Sequence, residues 1–351
     1  MKTTDPSSAR RPIITLVDKI GWFGRYTGYE ALAEFISSPV VRVIPRRNLF
    51  ARIVGKLYST IKRWPPRNQA TTFSELELLL RWKRQPGAIA HVLYSEDHLR
   101  FFTRWERAPR TWVATIHLPP SQWSEERLAH LRHVQSAIML YQRDIAFFEQ
   151  FTGAGRIRFV HYGVDVDFFR PAATHSTHRL LFAGAYLRNP KMLARVVERL
   201  HAAHPELRFD LLVPMHARSQ SGFEKLEKHP AVTWHAGLSD EQLRKLYQES
   251  YLLLMPMNES GANTAVVEAL ACGLPIVTTD VGGIRDYGGG TIFPVVKNDD
   301  DDAMVALVEQ YLEKPDWREQ VGAECRRFAE HTLAWPLIAQ RHLRAYEDLA
   351  K

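Results

Sequence analysis

Cysteine is nearly missing from this chain. The two present, Cys272 and Cys325, form no CxxC and share no histidine spacing suited to zinc, which argues against a disulfide framework and for a reducing compartment. Long apolar runs are missing as well. The opening MKTTDPSSARRPIITLV lacks the apolar core of a secretory leader, and no stretch reaches membrane-spanning length. The expectation is a cytoplasmic protein, still free to sit peripherally on the inner face of a membrane. A third absence is the GxGxxG turn that a nicotinamide-dependent oxidoreductase carries after its first strand. The turn here reads GWFGRYTG, so that class is set aside.

What is present is ordinary in amount and uneven in place. A hydrophobic content of 45% and a charged content of 24% are those of a soluble globular protein, and 351 residues exceed one ordinary core. Two domains are expected. The net charge of +7 is lopsided: residues 1–170 hold 26 Lys and Arg against 15 Asp and Glu, and the remainder holds 20 against 24. Such asymmetry marks the first half as the one facing an anionic partner. A non-enzymatic polyanion-binding protein would also explain a pI of 9.4, but it would be basic throughout, and the acidic second half speaks against nucleic acid as the partner.

Apolar runs and helical patterns alternate along the chain. PIITLVD (12–18) reads as a strand, GWFGRYTG (21–28) as a glycine-bearing turn and YEALAEFI (29–36) as a helix, the opening of a doubly wound domain. Further strands are expected at 88–94, 111–117, near 136–141 and at 156–160. A second alternation begins after Pro171: strand 179–184, helix 191–204, strands RFDLLVP and VTWHAG, a helix entered through Ser239-Asp240, strand YLLLMPM, helix TAVVEALACG and strand PIVTTD. The acid run NDDDDA (298–303) precedes a helix and reads as dipole-complementing capping rather than a metal site. The fold class expected is α/β with two parallel-sheet domains, residues 1–170 and 171–333, and a terminal helix over 334–351.

The densest chemistry lies in ESGANTAVVEALACGLPIVTTDVGG (259–283). A loop at the carboxyl end of a buried strand runs into a helix, whose unpaired N–H groups suit an anion. Gly261 and Ala262 allow close backbone approach, Asn263 and Thr264 add donors, and Glu268 lies on the face of Thr264 by i, i+4 spacing. A phosphate at the helix tip would leave Glu268 placed to accept hydrogen bonds from a ribose diol. The competing reading, a capped core helix with one surface glutamate, fits the local pattern equally well.

This stretch resembles the donor-binding segment of glycosyltransferase family 4, retaining enzymes of the GT-B fold. Glu268, Ala269, Ala271, Gly273, Pro275, Gly282 and Gly283 match that family's motif. HYGVDVDFFRP (161–171) resembles its inter-domain segment, 235–257 the approach to the motif, and FAEHTLAWPLIAQRHLRAYEDL its terminal helices, the last of which returns to the first domain. The resemblance implies a nucleotide-diphosphate sugar donor, UDP- or GDP-linked, no metal and no further cofactor. It implies transfer to a lipid-linked or cell-surface glycan, as in polysaccharide assembly. One position departs: eight residues before Glu268 stands Ser260 where the family has its first Glu, and the nearest carboxylate is Glu259. Either Glu259 enters from one residue out of register or Ser260 makes the sugar contact. The departure leaves a second reading, a pseudo-enzyme that binds the nucleotide sugar without turnover.

The family's diphosphate-clamping Arg directly after the strand's glycine is Ala185 here, which leaves Arg188 and Lys191 as the cations. Gly24 is the close-approach residue of the family's glycine-rich loop, unless GWFGRYTG is an ordinary strand–helix turn. His117 resembles the family's cleft histidine, against a merely structural residue at a strand end. Ser95, Glu96 and Asp97 are weaker acceptor-side candidates. Asp165-Val166-Asp167 imitates a metal-binding Asp-x-Asp but sits in the inter-domain segment and is rejected.

One stretch outside this site stands out. Residues 41–67 carry eight Lys and Arg (Arg42, Arg46, Arg47, Arg52, Lys56, Lys62, Arg63, Arg67) and no acid, with Phe50, Ile53, Val54, Leu57, Ile61 and Trp64 at helical spacing. Two readings fit: an interfacial helix on an anionic membrane, or a helix that buries its apolar face in the core.

Overall fold

Runs of aliphatic and β-branched residues, closed by turn formers, become the strands of two parallel sheets. The computed structural model describes residues 11–17, 24–36, 40–43, 49–61, 69–85, 87–98, 112–173, 175–176 and 178–348. The chain divides into two compact units: unit 1 comprises Met1–Gly21, Tyr29–Val160 and Ala339–Lys351, and unit 2 comprises Trp22–Gly28 and His161–Ile338.

In unit 1 the strands are β1 (Ile13–Leu16), β2 (Val40–Val43), β3 (Ile89–Val92), β4 (Trp112–Ile116), β5 (Ser136–Met139) and β6 (Ile157–Phe159). They form one sheet of order β2-β1-β3-β4-β5-β6, parallel throughout. Every residue of β1, β3, β4 and β5 is buried, as parallel strands covered on both faces must be. The helices are α1 (Leu32–Phe35), α2 (Leu49–Ile61), α3 (Gln69–Arg84), α4 (Glu125–Leu131) and α5 (Ile145–Thr152).

Two local expectations change. The helix expected over 29–36 is a 3-10 turn, Tyr29–Ala31, followed by the single α-helical turn of α1. The basic stretch 41–67 is not uniformly helical. Its first three residues complete β2, where Val40, Val41 and Val43 have the β-branched side chains a pleated strand favours and pair in register with β1. Residues 44–48 and 62–68 lie outside the described residues.

A polar cluster is buried in the core of unit 1. The Tyr29 hydroxyl meets His342 Nε2 at 2.5 Å, His91 Nε2 meets Thr115 Oγ1 at 2.8 Å, and the Tyr346 hydroxyl lies 2.7 Å from His91 Nδ1. His342 and Tyr346 come from the last helix, α11, named below with unit 2. Burial, then the neighbouring His342 and His117, hold the His91 pKa well below its ordinary value.

In unit 2 the strands β7 (Arg179–Ala183), β8 (Arg208–Leu212), β9 (Val232–His235), β10 (Leu252–Met255), β11 (Ile276–Thr279) and β12 (Val295–Val296) form a second parallel sheet of order β12-β11-β10-β7-β8-β9. Its helices are α6 (Pro190–Ala203), α7 (Asp240–Glu249), α8 (Thr264–Ala271), α9 (Asp301–Glu313) and α10 (Pro315–Phe328), and the chain closes with α11 (Trp335–Asp348), which passes into unit 1 at Ala339. Their starts are chemically marked. Ser239 and Gln242 form a reciprocal capping box on α7, and Asn189 caps α6 ahead of Pro190. The acid run behaves as capping: Asp300 accepts from the Ala303 N–H, and Asp301 and Asp302 pair with Arg195 and Arg199.

Tyr346→Phe removes the hydroxyl partner of His91 Nδ1 without changing the shape of the site, and is expected to cost about 1–2 kcal/mol in denaturant unfolding at pH 8. His91 has a folded pKa below its unfolded value. The unfolded chain therefore takes up the proton first on acidification, and wild-type stability is expected to be full above about pH 6.5 and to fall below it.

Candidate active site

The chain order of the second sheet reverses between β7 and β10: β8 and β9 follow on one side, β11 and β12 on the other. Ligands in open α/β sheets bind outside the carboxyl ends of strands at such a reversal. Here those ends carry the loops Gly184–Asn189 and Pro256–Asn263. The two are stitched together. The Asn258 N–H donates to the Leu187 carbonyl at 3.0 Å, the Asn189 N–H to the Pro256 carbonyl at 2.9 Å, and Asn258 Nδ2 to the Arg188 carbonyl at 3.0 Å.

Arg188 is half-buried between these loops. Its Nε donates to the Ala183 carbonyl at 2.9 Å, Nη1 to the Tyr186 carbonyl at 3.0 Å and Nη2 to Asn263 Oδ1 at 3.2 Å, with Met257 Sδ 3.8 Å from Nη1. None of these partners is a carboxylate. Lost hydration pulls its pKa down to about 10, so it stays a cation at neutral pH. Gly184, at φ +90°, makes the space, since a Cβ there would press on the guanidinium at 2.9 Å. Asn263 acts in two places, because its Oδ1 also accepts from the Ala265 N–H at 3.1 Å and so caps α8. The cation is thus tied directly to the tip of the helix. Gly261, Ala262 and Thr264 surround that tip; Gly261 is buried and the other two are partly exposed.

Glu268 lies one turn into α8, 4% exposed. Thr27 Oγ1 donates to its Oε1 at 2.7 Å, and the Tyr247 hydroxyl donates to the same carboxyl. Burial raises its pKa to about 7, against the lowering effect of those two donors. The sequence leaves open a surface glutamate on a capped helix. The cap exists, but the glutamate is buried.

Thr27 belongs to the turn singled out in the sequence, whose residues 21–23 lie outside the described residues. The remainder, Gly24–Gly28, is anchored in unit 2. The Arg25 N–H donates to Asp240 Oδ2 at 2.8 Å, a side chain at Gly24 would collide with that same carboxylate, and Tyr26 stacks on Phe168 at 3.7 Å. Ser260 is buried, its Oγ donating to the Gly261 carbonyl at 3.0 Å and its own carbonyl accepting from the Gly283 N–H at 3.0 Å. The closing Gly-Gly of the motif therefore fastens the loop before α8. Glu259 is half-buried beside it, its N–H directed at the Leu187 carbonyl. Lys191 is exposed in the first turn of α6 and lines a recess of about 400 Å³ with Ser221, Asn258 and Asp299; none of Arg188, Asn263 or Glu268 lines it. Asp165 Oδ1 accepts from the N–H groups of Asp167 and Phe168, a local turn.

In unit 1 the first sheet reverses between β1 and β3, and the candidates after β3 and β4 meet there. His117 Nε2 lies 2.6 Å from the Leu93 carbonyl, and its ring stacks on Tyr94 with centroids 4.6 Å apart. Burial lowers its pKa to about 4, so it is neutral at pH 7. Glu96 accepts from the N–H groups of His117 and Leu118, and burial raises it to about 7. Ser95 Oγ donates to the Thr115 carbonyl at 2.6 Å, while Asp97 is exposed near Arg127.

Sequence reasoning does not find Thr27, Tyr247, Asn189 or Asp240. Asn189 has a signal, as an Asn before Pro at a helix start. The contact of Thr27 with Glu268 spans 241 positions and leaves no local trace. Among the described residues no cluster of three or more His, Cys, Asp or Glu is arranged to hold a metal.

Residues 177–314 match the family model described as glycosyl transferases group 1. A D-inositol 3-phosphate glycosyltransferase of Streptomyces avermitilis is 30% identical over 202 residues, 50% of this chain and 43% of that protein. An MMP alpha-(1->4)-mannosyltransferase of Mycolicibacterium hassiacum is 26% identical over 198 residues, 55% of this chain and 48% of the other. The chain thus spans about half the length of the curated relatives it matches. Among solved structures, Anabaena HepE in complex with UDP aligns over 96% of this chain and 100% of its own, with a TM-score of 0.73 at 13% identity. Sucrose-phosphate synthase of Thermosynechococcus elongatus aligns over 97% and 99%, with a TM-score of 0.68 at 15% identity. At these identities the likeness establishes the fold, which is GT-B.

Glu268 has a folded pKa above its unfolded value. Its contribution to stability is therefore full below about pH 4.5 and lost as pH rises through about 7. Glu268→Gln is expected to raise the thermal midpoint over wild type at pH 8, by the equivalent of about 1–3 kcal/mol, and to leave it unchanged at pH 4.5. Paired melts at the two pH values check this.

Proposed function

We propose that this chain, whose residues 177–314 belong to the glycosyl transferases group 1, moves a sugar from a nucleotide-diphosphate donor to an acceptor hydroxyl with retention at the anomeric carbon. The observation that carries the proposal is the Arg188 guanidinium, held by carbonyl and amide oxygens with no carboxylate among the described residues paired to it, at the tip of the helix that carries buried Glu268. A cation and a helix N-terminus aimed at one place fit a diphosphate, and a buried carboxylate one turn along fits the ribose diol.

In the proposed reaction the bond from the anomeric carbon to the diphosphate oxygen breaks as the bond to the acceptor oxygen forms on the same face. The acceptor proton passes to the departing phosphate. Charge grows on the diphosphate, and Arg188 with the α8 N–H groups stabilises it, Lys191 adding a more distant positive charge. No protein nucleophile and no metal enters this scheme. Ser260 or Glu259 would face the sugar, and neutral His117 would serve on the acceptor side. For the carboxylate of Glu268 to receive both ribose hydroxyls it must be ionised, so donor binding should strengthen from pH 6 to pH 8. HepE was also solved with UDP-glucose, which supports a UDP-linked donor here. The basic first half supports a lipid-linked or cell-surface glycan as acceptor, met at the cytoplasmic face of a membrane.

Thermal melts against UDP-, GDP-, ADP- and dTDP-sugars test the donor. One nucleotide family at a hundredfold excess over its dissociation constant should raise the wild-type midpoint by about 5 °C or more. Arg188→Met should weaken that nucleotide at least tenfold, and Glu268→Ala should abolish the shift. No shift with any nucleotide sugar would overturn the proposal. A shift with neither transfer nor donor hydrolysis would instead favour the binding-only reading that Ser260 leaves open.

A further inference from the structure

Helix α2 sorts its side chains into stripes in an unusual way. Ala51, Gly55 and Ser59, four residues apart, are the buried ones, and the helix is packed against α3. Small side chains let two helix backbones approach closely, with Val54 half-buried beside the stripe, Tyr58 packed against the core and the Phe50 ring edge-on to Phe73 of α3. Five large apolar residues point outward: Leu49, Phe50, Ile53, Leu57 and Ile61 are each more than half exposed. At 100° per residue they fill one continuous arc of the wheel, with Arg52 and Lys56, also exposed, between that arc and the buried stripe. Of the apolar residues on this helix, Tyr58 packs against the core and Val54 is half-buried, while the five on the arc do not enter the core.

Five large aliphatic and aromatic side chains on one exposed arc exceed the scattered apolar residues of an ordinary surface. What covers them must be apolar where these side chains point and negative where Arg52 and Lys56 lie. We infer that α2 is a docking helix for an anionic lipid bilayer, lying in the interface with its apolar arc among the acyl chains and its cations against headgroups. Its 13 residues extend only about 20 Å, too short to cross and suited to lying flat. No acid occurs anywhere from 41 to 67, and Arg46, Arg47, Lys62, Arg63 and Arg67 flank the helix in sequence. A second copy of the chain is the poorer occupant, because a two-fold contact sets the same patch against itself and brings Arg52 and Lys56 near their own equivalents. The inference concerns unit 1 alone and does not depend on the donor site of unit 2.

The test is co-sedimentation of the full chain with vesicles of phosphatidylcholine alone and of phosphatidylcholine with 30 mol% phosphatidylglycerol, a composition chosen to carry net negative charge. Wild type is expected to bind the anionic vesicles at least tenfold more tightly than the neutral ones, with binding weakening as salt rises. The double variant Ile53→Asp, Leu57→Asp should lose at least tenfold on anionic vesicles. Arg52→Glu, Lys56→Glu should remove the preference for phosphatidylglycerol. All four positions are exposed, so melts of both variants should match wild type and separate lost docking from lost folding. Absence of wild-type binding, or equal binding by wild type and the aspartate variant, overturns the inference. So does a concentration-dependent dimer that the aspartate variant splits while neither protein sediments with vesicles.

Discussion

A guanidinium with no carboxylate partner among the described residues is costly to hold away from bulk water, and the arrangement of unit 2 around Arg188 reads as the means of holding it. Backbone carbonyls from its own loop and the amide oxygen of Asn263 replace hydration without cancelling charge. A carboxylate in the same position would stabilise the empty protein and neutralise the site. Because Asn263 also caps α8, the cation and the helix tip form a single electropositive feature. The stitched loops after β7 and β10 keep it in place, and the reversal of strand order between those strands supplies the opening. Geometry of this kind follows from backbone hydrogen bonds and tolerates much variation in side chains, which accords with a fold kept at 13% identity to its solved neighbours.

Buried histidines and buried carboxyls are displaced in opposite directions by the same cause. Burial holds His91 and His117 neutral in unit 1 and raises Glu96 and Glu268 to about 7. Acidification therefore strains the histidine cluster while relieving the carboxyls. Near neutral pH the carboxyls are poised between charge states and the histidines are not. Glu268 is the one of these that lies one turn from the capped tip of α8, where the proposed function places the donor.

Much of this is legible in the sequence because parallel α/β folds write it there. Strands buried on both faces appear as short aliphatic runs, and their helices carry caps such as Ser239 and Asn189 with a clear apolar period. Glu268 is legible through its spacing from Thr264 and its place before Gly273 and Pro275. Other features are not. Strand β2 is four residues long and adjoins a basic helical pattern, so the short β-branched run is absorbed into the longer period. Thr27 reaches Glu268 only through the folded chain. The seating of α2 is hidden for a more general reason: hydrophobic patterning identifies the face that ought to be buried. Here the buried face is Ala51, Gly55 and Ser59, which carry almost no hydrophobic signal.

Helix α11 has a consequence for the order in which the molecule is made. Unit 1 takes most of its chain from before residue 160, yet its internal polar cluster draws His342 and Tyr346 from the far end of the sequence. During synthesis the hydroxyl of Tyr29 and the ring of His91 must wait for these partners while all of unit 2 is translated and free to fold. The first unit to begin emerging from the ribosome is thus the last to be completed. A chain halted before residue 346 would leave unit 1 with an open core, which makes synthesis through that residue the condition for a finished first unit.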